Sequence, residues 1–272
     1  MKGKDKLIIV RGGGDIATGT IYKLWRCGYP VLVLEISNPS AIRRNIALSE
    51  AIYDGESRVE DLTCKKVEQL DEAWEVIRHG EVPMMVDSEC RILEEIRPFA
   101  LVDAILAKKN MGTKKDMADI TIALGPGFNA GVDVDLVVET MRGHKLGRVI
   151  ESGEAIANTG IPGIIEGYGK ERVVHAPSSG VLNSDHRIGD SVKKGEELAV
   201  ITQEDGSRIS VPASLSGLLR GLIRNQFPVT KGFKIADIDP RESEYENCFT
   251  ISDKARCIAG GVLEGILYLA DD

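Results

Sequence analysis

Residues 6–19 read KLIIVRGGGDIATG, and this stretch decides how the first half of the chain is expected to fold. A short apolar run of strand type leads into three successive glycines, and apolar residues at helical spacing follow. The pattern Gly12-x-Gly14-x-x-Ala17 is typical of the first turn of a dinucleotide-binding βαβ unit. A tight turn needs residues without a Cβ atom, and a phosphate needs bare backbone N–H groups near a helix N-terminus. The candidate cofactor-binding residues here are Gly12, Gly13, Gly14, Asp15, Ile16 and Ala17.

An acidic residue directly follows the second apolar run of strand type. Residues 31–34 are VLVL, and Glu35 comes next. This is about where the acid that binds a ribose hydroxyl lies in dinucleotide-binding units. Glu35 is therefore a further candidate. The same residues also fit a purely structural strand-to-helix turn with a solvated Glu35, and that alternative stays open.

Short apolar runs and amphipathic patterns alternate up to residue 124. Residues 41–48, 70–78 and 89–96 have helical spacing, whereas residues 82–87, 99–106 and 119–124 are typical of strands. Such alternation predicts a parallel sheet covered on both faces.

Two carboxylates and a second glycine-rich loop fall at strand ends. Ligands of open parallel sheets bind beyond the carboxyl ends of the strands, so Asp87 and Asp103 are candidates there. A helix cap or a loop salt bridge explains them equally well. Residues 108–110, KKN, are basic and could contact a phosphate. Residues 125–131, GPGFNAG, form the second glycine-rich loop. We expect Gly125 and Gly127 to close over a ligand.

Composition narrows the classes of function. The chain has 272 residues, 43% of them hydrophobic and 28% charged, which is ordinary for a globular protein. Its formal net charge of −8 argues against a general nucleic-acid surface. No apolar run is long enough to span a membrane, and residues 1–5 lead directly into a strand, so we expect a cytoplasmic protein. Five cysteines and four scattered histidines show no ligand spacing, so no metal site is predicted.

The second half contains an internal repeat. Gly180, Val192 and Gly195 recur, 37 residues later, as Gly217, Val229 and Gly232. Residues 176–180, APSSG, and 189–196, GDSVKKGE, resemble the barrel-sandwich hybrid of biotinyl and lipoyl carrier domains. The turn between the copies, residues 202–208, has no lysine to modify, so the resemblance implies the fold without the carrier function.

These patterns predict an α/β chain of three parts. Residues 1–146 are expected to form a Rossmann-like nucleotide- or cofactor-binding domain, and residues 147–240 a β-rich barrel-sandwich hybrid with the internal repeat. Residues 241–272 are expected to hold a C-terminal helix that starts near Ser252 and packs on the first domain.

Four stretches in combination resemble one family. They are residues 10–19 (VRGGGDIATG), 124–128 (LGPGF), 138–144 (VETMRGH) and 237–241 (DIDPR). They resemble the accessory proteins of selenium-dependent molybdenum hydroxylase systems, and the first half is similar to chaperones of the xanthine dehydrogenase cofactor. The resemblance implies a maturation factor that binds a dinucleotide or molybdopterin-type cofactor, with the hydroxylase apoenzyme as its partner.

Two other classes remain open from sequence. The glycine pattern also fits an NAD(P)-dependent oxidoreductase, although no Tyr-x-x-x-Lys pair is present. A non-catalytic adaptor that docks the hydroxylase is the third class. No catalytic residue is assigned, and whether the protein is an enzyme stays undecided.

Overall fold

The structure, a computed structural model, describes residues 6–160 and 163–270. Residues 1–5, which the sequence predicts to lead into the first strand, lie outside the described residues. The chain divides into two compact units. The first comprises Met1–Pro39, Ala47–Thr159 and Ile251–Asp272, and the second comprises Ser40–Ile46 and Gly160–Thr250.

The first unit is built on a sheet of nine strands. Its elements in chain order are β1 (Ile8–Arg11), α1 (Asp15–Arg26), β2 (Val31–Glu35), α2 (Ala51–Asp54), β3 (Glu56–Val59), β4 (Leu62–Lys66), α3 (Leu70–Arg78), β5 (Val82–Val86), β6 (Ala100–Asp103), β7 (Ile120–Leu124), β8 (Asn129–Ala130), β9 (Leu136–Val138), β10 (Val149–Ile150), β11 (Gly153–Glu154) and, after the second unit, α4 (Asp253–Ala270). The strand order is β10-β9-β7-β6-β1-β2-β5-β4-β3, and β8 pairs separately with β11.

The seven inner strands of this sheet are parallel, and β3 and β10 lie antiparallel at its two edges. Every residue of β1, β6 and β7 is buried. A strand buried on both faces needs an apolar run rather than alternation, and residues 8–10 and 120–124 supply such runs. The carboxyl ends of β1, β6, β7 and β9 therefore meet at one edge of the sheet.

Helices α1 and α4 lie side by side with their first turns at the same end. A Cβ atom on Gly19 would come within 2.7 Å of the Ala255 Cβ, so the two backbones approach closely. The Arg256 guanidinium lies 5.5 Å from the centre of the Tyr22 ring. Ser252 caps α4, because its hydroxyl accepts the Ala255 N–H at 3.2 Å.

The second unit consists of two antiparallel sheets of four strands each. Its strands are β12 (Val173–His175), β13 (Gly180–Asn183), β14 (Ser191–Val192), β15 (Glu197–Thr202), β16 (Arg208–Pro212), β17 (Gly217–Leu222), β18 (Phe227–Val229) and β19 (Lys234–Asp239). The sheet orders are β12-β19-β17-β14 and β16-β15-β13-β18, so each sheet mixes strands from both copies of the repeat. Residues 40–46 join this unit, and the Leu222 N–H donates to the Ile42 carbonyl at 2.7 Å.

The fold-class prediction, a Rossmann-like sheet domain followed by a biotinyl- or lipoyl-like domain, is wrong. The chain is a mixed α/β protein with one large, mostly parallel sheet, smaller antiparallel sheets and a C-terminal helix. The large sheet has antiparallel strands at both edges, and the chain leaves it after β2 to contribute residues 40–46 to the other unit. The 37-residue period shows that strands are duplicated, but it does not specify the fold into which they assemble.

Two predicted helices are also wrong. Residues 41–48 hold the 3-10 turn Arg44–Ile46 and the start of a second, Leu48–Glu50. The Ile42 carbonyl accepts the Leu222 N–H of β17 instead of an N–H within a helix. In residues 89–96 only Arg91–Glu94 is helical, again as a 3-10 turn. No helix in the described part of the chain is both long enough and apolar enough to cross a membrane.

Candidate functional site

A cavity of about 190 Å³ opens at the carboxyl edge of the large sheet. Its lining comes from the first turns of α1 and α4, from the end of β7, from the loops after β6, β7 and β9, and from the segment before residue 160. The lining residues are Ile16, Leu106, Lys108, Leu124, Pro126, Thr140, Asn158 and Lys254. Leu124 and Thr140 are buried at its closed end, whereas Lys108 and Asn158 are exposed at its rim. All of these residues belong to the first unit.

Glycines let the loops around the cavity touch. A Cβ atom on Gly12 would lie 3.0 Å from the Ala104 carbonyl oxygen, in the loop after β6. A Cβ atom on Gly127 would lie 2.6 Å from the Lys109 backbone, and one on Gly125 would meet the Thr140 hydroxyl at 2.5 Å. All three glycines have positive φ values, between +76° and +108°. Glycine is therefore required here both by space and by backbone conformation.

Gly14 differs from its neighbours because it faces open space. No atom lies within 4 Å of a Cβ atom built on it, and α1 begins immediately after it without a side-chain cap. Ile16 in the first turn of α1 and Lys254 in the first turn of α4 both line the cavity. The cavity is thus flanked by the N-terminal turns of two helices, where the helix dipoles favour negative charge.

The Lys254 amine is a partly buried cation at this site. Neither the Lys254 side chain nor the Lys108 side chain makes an ion pair or hydrogen bond within residues 6–160 and 163–270. Burial lowers the pKa of Lys254, and the nearby Arg142 lowers that pKa further. Asp15, Glu139 and Asp253 act in the opposite direction. Two of these acids are engaged elsewhere: Asp253 pairs with Arg142 at 3.0 Å, and Glu139 accepts the N–H groups of Met141 and Ile156.

A buried ionic cluster, Arg11 with Asp103 and Thr113, supports the loop that carries Leu106 and Lys108. We call it the Asp103 cluster. Asp103 accepts the Thr113 hydroxyl at 2.6 Å and the Ile105 N–H at 3.1 Å, and its carboxylate lies 3.5 Å from the Arg11 guanidinium. Arg11, Asp103 and Thr113 are 4%, 2% and 1% exposed.

The loop between Asp103 and Thr113 is conformationally strained. Leu106 and Lys108 have φ values of +60° and +62°, in the left-handed region that non-glycine residues rarely adopt. The Arg11 guanidinium also donates to the Ser88 carbonyl at 2.8 Å and the Met111 carbonyl at 3.4 Å. These internal bonds hold the loop in place, so the cavity wall is preformed.

The structure brings only part of the predicted site to this cavity. Ile16 lines it, Gly125 and Gly127 flank the lining residue Pro126, and Gly14 and Asp15 begin the adjacent helix. Ala17 is buried in α1. Gly13 packs against Met84 and the backbone of Ser49.

Three predicted carboxylates lie outside the cavity lining. Both oxygens of Glu35 accept backbone N–H groups, from Gly13 at 2.9 Å and from Ile36 at 2.7 Å. Asp103 belongs to the Asp103 cluster. Asp87 accepts the N–H groups of Arg91 and Ile92 and lines a different, more open concavity of about 410 Å³. Their roles as ligand-binding residues remain predictions.

Sequence reasoning missed Lys254. The start of α4 was recognisable from Ser252, but nothing in the local sequence places that start beside α1. The described residues contain no group of three or more His, Cys, Asp or Glu side chains that could hold a metal ion.

A search of protein-family models gave no match to this chain. An Escherichia coli (strain K12) protein described as "Uncharacterized protein YqeB" is 46% identical over 264 residues, which are 97% of this chain and 48% of that protein. The chain thus spans about half the length of this curated relative, whose description gives no activity.

Solved structures with some likeness are distant. A succinylglutamate desuccinylase/aspartoacylase from Rhodobacter sphaeroides is 17% identical with a TM-score of 0.29, covering 87% of this chain and 85% of that one. The product-bound ectoine utilization protein EutE (DoeB) from Ruegeria pomeroyi is 12% identical with a TM-score of 0.25, covering 86% and 57%. At such scores the likeness supports no statement about activity.

These findings overturn the family resemblance drawn from sequence. No family model matches the chain, and the E. coli relative is not described as an accessory factor of molybdenum hydroxylases or as a biotinyl or lipoyl domain. The predicted maturation function, its selenium connection and its oxidoreductase and adaptor alternatives are therefore wrong. The geometry gives a physical reason, because Glu35 occupies the Gly13 N–H and the cavity lies below the roughly 300–1,000 Å³ typical of pockets for larger ligands.

Proposed function

We propose that the protein binds a small organic anion, a carboxylate or phosphate with a short apolar body, in the cavity between α1 and α4. The observation that carries this proposal is the convergence of two helix N-terminal turns and the Lys254 amine on one cavity. Helix N-termini and ammonium groups both stabilise negative charge, and here they act on the same small volume.

The neutral part of the lining limits what the anion can be. Ile16, Leu106, Leu124 and Pro126 offer apolar contact, while Thr140 and Asn158 offer hydrogen bonds. An apolar wall opposite a cation suits a ligand with a charged end and a few carbon atoms. A volume of about 190 Å³ suits a compact metabolite better than a whole nucleotide.

Calorimetric titration with inorganic phosphate, acetate and pyruvate tests the proposal. Lys254→Met removes the partly buried charge, and a charge-assisted hydrogen bond is worth about 1.5–3 kcal/mol, so affinity should fall about 10- to 150-fold. Lys108→Gln should have a smaller effect, because Lys108 is exposed at the rim.

Lys145→Gln provides the matched control. Lys145 is an exposed lysine of the same unit that does not line the cavity, so this change should leave affinity as in wild type. Failure of all three anions to bind wild-type protein, or equal losses in the Lys254 and Lys145 variants, would contradict the proposal.

A further inference from the structure

Lys254 combines three features that favour a reactive amine. It is partly buried against a cavity with apolar walls, it lies near the Arg142 guanidinium, and it lies in the first turn of a helix. Each feature disfavours the protonated form: burial by desolvation, the guanidinium by repulsion, and the helix N-terminus by its partial positive charge. Desolvation and a neighbouring cation are the two means by which proteins activate lysine as a nucleophile.

The charged groups around the amine do not cancel this effect. Asp15 on α1, Glu139 after β9 and Asp253 on α4 favour the ammonium form, and Arg142 opposes them. Burial and the Arg142 charge outweigh the three acids, so the pKa of Lys254 lies below its ordinary value. A larger share of neutral amine is therefore available near neutral pH than on a surface lysine.

We propose that Lys254 forms an imine with a small oxo acid, such as a 2-oxo carboxylate, bound in this cavity. The inference rests on the proposed anion binding and names its ligand class. The amine nitrogen attacks the carbonyl carbon, a C=N bond replaces the C=O bond, and the oxygen leaves as water with the two amine protons. No oxidant or reductant is consumed in this condensation.

The remaining lining residues fit such a ligand. The carboxylate would lie toward the first turn of α1 and the rim residue Lys108, since both favour negative charge. The buried Thr140 hydroxyl, which also lines the cavity, can donate to the carbonyl oxygen or to the departing water. The apolar side chains limit access of bulk water, which would hydrolyse the imine.

Reductive trapping tests the inference. Wild-type protein is incubated with pyruvate and cyanoborohydride, and intact mass and peptide mapping locate any N-(1-carboxyethyl)lysine. We expect one adduct per chain, at Lys254, formed at least ten times faster than at any other lysine. The pH midpoint of its formation should lie below that of an ordinary lysine.

Two variants and one comparison separate the outcomes. Lys254→Arg has no primary amine and should lose the fast adduct, whereas Lys145→Arg should keep it. Labelling of Lys254 no faster than of surface lysines would overturn the inference. If phosphate and acetate still bind the wild-type protein in that case, the proposed anion site stands without the imine. If neither anion binds, the proposed function itself fails.

Discussion

The Asp103 cluster and the cavity lie at the same edge of one sheet. Their charged side chains differ in whether they have partners inside the protein. In the cluster, Asp103 and Arg11 are almost fully buried and find their partners inside the protein. In the cavity, Lys254 is partly buried against apolar walls and makes no ion pair within the described residues. A buried charge with internal partners holds structure, whereas a desolvated charge without them is available to a ligand.

Removing the Asp103 carboxylate should have the largest effect on stability. In Asp103→Ala the Arg11 guanidinium, 4% exposed, would keep its burial and lose its counter-charge. Breaking a buried pair in this way costs about 3–5 kcal/mol, measured by denaturant unfolding.

Asp119→Ala is the control for that loss. Asp119 pairs with Arg97 at the surface, where the two side chains are 59% and 62% exposed, and such pairs contribute about 1 kcal/mol or less. Similar unfolding free energies for the two variants would show that the Asp103 cluster is not a structural support. That result would contradict the contrast drawn between the cluster and the cavity.

Two glycine substitutions should differ in their effect on stability, because one glycine is packed against a loop and the other faces open space. Gly127→Ala places a Cβ atom 2.6 Å from the Lys109 backbone at a φ of +108°, so we expect a loss of about 1–3 kcal/mol and a shift of the loop that carries Lys108. Gly14→Ala meets no atom within 4 Å, so its unfolding free energy should stay within about 0.5 kcal/mol of wild type. Thermal and denaturant unfolding of both variants measure the difference, and equal losses would contradict the assignment of Gly14 to open space.

Glu35 should give the smallest effect, visible in the pH dependence of stability. Burial raises the pKa of Glu35 above 4.5, and the hydrogen bonds from Gly13 and Ile36 only partly oppose this. A raised folded-state pKa gives stability that is complete below the unfolded-state pKa and is lost as pH rises through the folded-state pKa. The unfolding free energy of wild type minus that of Glu35→Gln should therefore decrease with rising pH from about 4.5 upward. Parallel curves for the two proteins would mean that Glu35 titrates like an exposed carboxylate.

The parallel sheet could be predicted because its strands are continuous apolar runs. Residues 82–86 and 120–124 form strands where the sequence indicates them. The predicted strand at 99–106 ends at Asp103, since that carboxylate accepts the Ile105 N–H and the chain turns into the left-handed region at Leu106. The local sequence pattern does not predict that turn at Leu106.

The site was harder to predict because its parts are remote in sequence. The glycine turns were recognised from their spacing, but the purpose of Gly12 and Gly127 is contact with the loop after β6. Lys254 reaches the cavity only because α4 packs beside α1 through Gly19 and Ala255. That packing joins residues more than 230 positions apart, which no motif of one segment reveals.

Anomalous diffraction from a crystal soaked in selenate tests the central claim most directly, since it locates an anion without knowledge of the natural ligand. We predict a selenium peak in the cavity, within hydrogen-bond distance of the Lys254 amine and beside the first turn of α1. The peak should be absent from crystals of Lys254→Met. Well-occupied selenate elsewhere on the protein, with none in the cavity of the wild type, would contradict the account.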